Sequence, residues 1–282
     1  MALISLSGFS QQSPFEVSAR TISAGNGNSF GNYELSLTYP VFRKEKTIVA
    51  AGIITDWYRN NLSGDSIGLR NLYRLSIPLM LQISLGEKYK LNIIADPSLS
   101  SDFEDISSKD FRYNAAIRLA RNKKTGMLWS AGIGISKQFF GIQVVPFYQA
   151  NIPITSRLSF SGALPMKPRL TIEISPEKQV GFAVAASAGS FRLSAAKDGQ
   201  YADIKQGEAF FFYQQKLAGN FHLGINAGRT FINRIRVFGK DQKIPLRLFL
   251  YDFGHERTPS ASWNSNGWLV QAQVAYKIHS NL

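Results

Sequence analysis

The chain of 282 residues contains no cysteine, so neither a disulfide nor a thiolate-bound metal takes part in its fold. It also lacks any apolar run near the roughly 18–20 residues of a membrane-crossing helix. The best stretch, TIVAAGIIT, is far too short, and a helical membrane protein is excluded. Histidine is scarce, with three residues, and acidic side chains number 19 against 32 basic ones, for a net charge of +13. Acid–base or nucleophilic chemistry of the histidine type is thereby confined to His222, His255 and His279. No phosphate-cradling glycine loop or dinucleotide fingerprint occurs, because GNGNSFGN does not sit between a strand and a helix. The basic residues are spread singly, with no basic helix or aromatic platform, so nucleic acid is not an expected partner.

What the chain has in abundance is alternation. In RLSIPLMLQISLGEKYKLNIIAD, residues 74–96, Leu75, Ile77, Leu79, Leu81, Ile83 and Leu85 alternate with Ser76, Pro78, Met80, Gln82 and Ser84. After Gly-Glu-Lys the period of two resumes at Tyr89, Leu91, Ile93 and Ala95. YELSLTYPV, FRYNAAIRLA, MLWSAGIGIS, RLTIEIS and WLVQAQVAYKI repeat the pattern, and helical periodicity is almost nowhere. The connections alternate too. Short polar turns such as FRKEK, LGEK and KLAGN lie between mostly longer segments such as YRNNLSGDS, SLSSDFEDISSKD and residues 233–266.

A soluble strand averages about 5–6 residues, whereas a tilted strand crossing a bilayer needs roughly 9–11. In lipid every strand must be paired on both sides until the sheet closes. The pattern therefore predicts an all-β fold: a transmembrane antiparallel up-and-down β-barrel of about 14 strands, within a range of 12–16. Aromatics near strand ends, among them Tyr33, Tyr39, Trp57, Tyr89, Tyr113 and Trp268, fit interfacial girdles. The alternative is a soluble β-sandwich or lipocalin-like barrel, which this many long strands would overfill. One domain is expected over residues 13–282. Residues 1–12, from MALISLSGFSQQ, read as a signal-peptide remnant or N-terminal tail.

Two segments also resemble an outer-membrane β-barrel family of unknown function that is widespread in Bacteroidota. They are ADPSLSSDFEDISSKDFRYNAAIRL and GALPMKPRLTIEISPEKQVGFAVAASAGSFRLS. The matching residues are Ser101, Asp102, Phe103, Asp105, Ile106, Ser107, Asp110, Phe111, Arg112 and Tyr113, then Leu164, Pro165, Pro168 and Arg169. The resemblance implies a barrel in the outer membrane of a Gram-negative bacterium, with the lipid bilayer as its surroundings. It transfers no catalytic or binding residue and no cofactor.

With apolar residues facing lipid, the alternate positions line the lumen. Arg74, Arg112, Arg118, Arg157, Arg169, Arg192 and Arg247 are the lumen-lining basic candidates. Charge on the lipid face would cost roughly 2–4 kcal/mol per Arg or Lys at mid-membrane, which favours the lumen as their place. Two functions stay open: a passive channel for small, preferentially anionic solutes, or a non-conducting barrel. The second would be a structural or partner-binding subunit acting through its extracellular loops. The acidic loop offers Asp102, Glu104, Asp105 and Asp110, which are read either as hard oxygen ligands for a cation or as a solvated, Arg-paired loop. The loop lacks EF-hand order, so no metal is assigned. His255 lies near Asp252, Glu256, Ser260 and Ser262, but no nucleophile elbow accompanies it, and an enzyme is not expected.

Overall fold

The computed structural model describes residues 13–25, 27–61, 69–122 and 127–277. The segment read as a signal-peptide remnant and His279 lie outside the described residues. The strands are β1 (Phe15–Ser23), β2 (Ser29–Lys44), β3 (Thr47–Asn61), β4 (Asn71–Ser76), β5 (Leu79–Leu85) and β6 (Tyr89–Ser101). They continue with β7 (Phe111–Asn122), β8 (Leu128–Gln138), β9 (Gly141–Pro153), β10 (Leu158–Leu164), β11 (Lys167–Ser175) and β12 (Lys178–Arg192). The last are β13 (Tyr201–Lys216), β14 (Phe221–Phe238), β15 (Ile244–Leu248), β16 (Tyr251–Phe253), β17 (Ala261–Asn264) and β18 (Trp268–Tyr276). Helix among the described residues is limited to two single 3₁₀ turns, Ser108–Asp110 and Ala195–Lys197.

Each wall strand pairs antiparallel with its neighbours, and β1 closes the sheet against β18 from Phe15↔Tyr276 to Ser23↔Trp268. β4 and β5 share one wall position interrupted by Ile77–Pro78, where proline has no N–H to give the ladder. β17 and β18 likewise share one position along β14. β15 and β16 are additions at one end. The result is a closed 14-strand antiparallel barrel. Closure pairs each wall strand on both sides over the height that β10 and β11 reach, which is the condition for backbone in hydrocarbon. Short turns gather at one end and the long connections at the other; these are called the turn end and the loop end.

The alternation of the sequence becomes an inside and an outside. Leu35, Leu37, Ile53, Ile93, Ile117, Ile133 and Ile135 stand exposed on the outer face. Their neighbours Asp56, Arg74, Ser76, Asn92, Asp96, Arg118 and Ser136 are buried within. A solvated channel lining would leave such polar side chains part-exposed; here they are packed.

Two apolar clusters lie on the inner side of the wall. One joins Ala50, Ile54, Met80 and Ile94 of β3, β5 and β6 to Val145 and Phe147 of β9, with Met166 from the β10–β11 turn. The cluster follows the inner face of the wall as a row of cross-strand neighbours, Ala50↔Met80, Met80↔Ile94, Ile94↔Ala116 and then Gly134↔Val145. The other, nearer the loop end, joins Ile22, Phe30, Tyr58 and Leu72 of the β1–β4 wall to Phe191, Ala202 and Ile204 of β12 and β13.

Candidate functional site

The loop end is organised by an omission in the wall. β10 and β11 form a short hairpin, turning back at residues 164–167, so β9 above Tyr148 and β12 above Ala183 lose their wall partners. An unpaired edge invites pairing with any available strand. On β9 the edge is covered by β15, which pairs parallel from Ile244↔Gly141 to Leu248↔Val144. The amides of Ile244 and Phe249 donate to the carbonyls of Phe140 (2.7 Å) and Val144 (2.8 Å).

The β12 edge takes a different course: it leaves the wall and crosses the mouth. β6 and β12 are separated by five wall strands on one side and seven on the other, yet Arg192 bridges to Ser101 of β6. The Asp102 amide donates to the Arg192 carbonyl (3.2 Å), and the Tyr58 and Phe191 rings meet at 5.2 Å. The burial pattern registers the crossing. Ala188 to Arg192 are buried without alternation, as are Tyr201 to Ile204 on β13. A strand with consecutive buried residues has both faces covered.

One face of this inserted hairpin closes the apolar cluster with Ile22, Phe30, Tyr58 and Leu72. The other carries polar and charged groups. Ser190 Oγ donates to Gln138 (3.0 Å), Gln138 Nε2 to Asn114 (3.3 Å) and Asn114 Nδ2 to Asp96 (3.0 Å), while Ser76 Oγ also donates to Asp96. This unbroken chain ties the hairpin to β8, β7, β6 and β4.

At the hairpin tip lies the acidic loop. Arg192 donates through Nε to Asp110 (2.5 Å) and through Nη2 to Asp105 (2.6 Å). Lys197 bonds Asp102 and Glu104, each at 3.0 Å, and the Ser194 amide donates to Asp102 (3.0 Å). All four carboxylates of the loop are therefore spent on the hairpin. The amide of Ala195 and the guanidinium of Arg192 hold the Asp105 carboxyl below its ordinary value. A second ionic cluster lies under β15. Arg247, with no exposed surface, donates to both oxygens of Asp203 and to Asp252. Arg257 bonds Asp203 (3.1 Å) and Asp252 (3.0 Å), and Lys205 bonds Asp252 (3.0 Å). Burial works to raise the Asp252 carboxyl, but hydrogen bonds and charge from Arg247 and Lys205 prevail and hold it at about 2.

The seven arginines read as lumen-lining are thus dispersed. Arg74 faces inward and is paired with Asp56; Arg118 faces inward and donates to Gln149 (2.6 Å). Arg169 faces inward with its guanidinium 3.6 Å from the Phe212 ring centroid, and Arg112 is buried at the loop end over Phe139. The other three are corrections. Arg157 is exposed in the β9–β10 turn, because β10 begins only at Leu158. Arg192 is parity-matched with the outward Phe182 and is covered by the acidic loop rather than facing a lumen. Arg247 belongs to the appended β15, inside the ionic cluster. Among the described residues no hydrogen bond joins His255, which is exposed, to a serine or carboxylate. Asp203, Lys205, Tyr201 and Arg257 escaped the sequence reading, because their partners are distant in sequence and their strand positions alternate like any other.

No protein-family model and no curated protein matches the chain. Among solved structures, the NanC porin is similar over 94% of this chain and 100% of its own, at 10% identity and a TM-score of 0.41. LpxR from Salmonella typhimurium is similar over 93% of this chain and 100% of its own, at 6% identity and a TM-score of 0.38. The closed 14-strand architecture described above rests on this chain's own pairing.

Proposed function

We propose that the protein is an outer-membrane barrel that does not conduct, and that its activity resides at the loop end, outside the cell, as a binding module. The observation that carries this reading is the buried β12–β13 hairpin across the mouth, held there by Phe191 against Tyr58 and by Arg192 against the acidic loop. At about 14 strands a barrel is wide enough for an open lumen, so filling it is a choice of sequence rather than a consequence of size. Apolar side chains meeting across the mouth, as Tyr58 and Phe191 do, exclude water, and an ion entering them would lose its hydration at a cost of several kcal/mol. The outer face supports a bilayer setting, and short turns on one side with long segments on the other support the usual orientation, turns in the periplasm.

Planar-bilayer recording tests it. Refolded wild-type protein gives no stable single-channel steps; steps in the wild type would overturn the proposal. A second reading, passage of small anions, is favoured by Arg112, which is buried, and Arg169, which is half-buried on the inward side; among the described residues neither has a carboxylate in ion-pair reach. If that reading holds, wild-type steps appear with anion preference, and R169E reverses that preference.

A further inference from the structure

A cleft of 1330 Å³ lies at the loop end beside β7, β8 and β9. Its walls are of two kinds. Below are Tyr113 and Ile135, which point outward and belong to the apolar surface facing lipid. Level with Tyr113 is its register partner Lys137 on β8, and above are Lys109 beside the acidic loop and Lys240 and Lys243 in the connection to β15. These four lysines are exposed, and none makes an ion pair among the described residues. The carboxylates that might have answered them in the acidic loop are already bound to Arg192 and Lys197. Two carboxylates, Asp198 and Asp241, also line the cleft, so its balance is clearly basic.

The two walls meet where hydrocarbon gives way to headgroups. Tyr113 stacks with Phe111 at 6.3 Å, an exposed aromatic pair suited to that level. A ligand that satisfies both walls at once must be amphipathic and anionic. We infer that this cleft takes the phosphorylated headgroup of an outer-leaflet lipid, with the lysines around the phosphate and the acyl chains lying down β7 and β8 over Tyr113 and Ile135. Cationic side chains attract anionic headgroups at such a boundary, and a phosphomonoester offers the most charge in the least volume. A soluble phosphate would use the upper wall only, and a zwitterionic lipid would bring a cation toward four lysines. The inference rests on the loop end being external and supplies the binding module of the proposed function with a ligand class.

The test uses the full chain in uncharged detergent with an equimolar mixture of dioleoyl phosphatidic acid and dioleoyl phosphatidylcholine. Retained lipid is counted by native mass spectrometry. Phosphatidic acid is expected to be retained about tenfold over phosphatidylcholine, and K109E/K240E/K243E is expected to abolish that preference. If charge reversal prevents folding, the glutamine triple variant carries the test, with heat-modifiable mobility as the folding control. Glycerol 3-phosphate, which has the headgroup without the chains, is expected not to displace the lipid. Equal retention of the two lipids, a preference untouched by the variants, or displacement by glycerol 3-phosphate each overturns the inference. Conductance of the same preparation would overturn the non-conducting reading and leave the lipid preference standing, so the two failures are distinguishable.

Discussion

Among the described residues Arg247 is the largest side chain with no exposed surface, and four of its hydrogen bonds end on Asp203 and Asp252. Removing one partner of a buried ion pair leaves the other charge uncompensated, at a cost of about 3–5 kcal/mol, whereas replacing the pair by apolar groups of similar volume is often neutral. D203N should therefore loosen the loop end by that amount, and D203N/R247M should recover part of it. Thermal proteolysis of the connection between β14 and β17 measures both; equal damage in single and double variants would refute the pairing.

Asp252 gives the same cluster a pH dependence. Its carboxyl is held at about 2, below the ordinary value near 4. A depressed carboxyl contributes stability that is complete above its unfolded value and is lost as pH falls through the folded one. Pepsin should leave residues 239–260 intact at pH 4 and cleave them readily as pH drops below 2. In D252N that step should be absent.

At the scale of elements, the short β10–β11 hairpin explains both departures from a plain up-and-down wall. It frees an edge of β9, which β15 covers, and an edge of β12, which bends across the mouth. The β10–β11 turn is itself fastened, since the Ala186 amide donates to the Met166 carbonyl (2.8 Å). I244P removes the bond to Phe140 and should release β15 without opening the barrel. Hydrogen exchange of the Phe249 amide should then accelerate to loop-like rates while heat-modifiable mobility is kept. Slow exchange in the variant would mean that β15 is held by something other than the β9 edge. Gly132 shows how closely the interior is fitted, because the Phe147 ring occupies the place a Cβ would take there.

For the whole molecule, the cluster around Phe147 couples stability to closure. It gathers inward side chains of β3, β5, β6 and β9 into one buried row, so the packing of strands distant in sequence depends on the closed wall. F147A should lower the unfolding free energy by about 3–5 kcal/mol, as truncation of a buried aromatic does. Denaturant titration in lipid vesicles reads the loss. A variant as stable as the wild type would show that the ring is not part of the packed interior.

The one-dimensional pattern was enough for the barrel, its strand number and the two faces of each strand. A period of two over many long segments has only one arrangement that satisfies every backbone group in lipid. The acidic loop was legible as a charged segment, with Arg-pairing as one of its two readings. The interior was not legible. Parity assigns Arg74, Arg118 and Arg169 to the inside, but it cannot say whether the space they enter holds water or Phe147 and Met166 from elsewhere. For Arg192 and Arg247 parity is no guide to the surroundings, because one lies where a strand leaves the wall and the other on a strand added to it. Periodicity reports a residue's neighbours along its own strand; what meets it across the lumen depends on contacts between distant segments, and those only the closed barrel brings together.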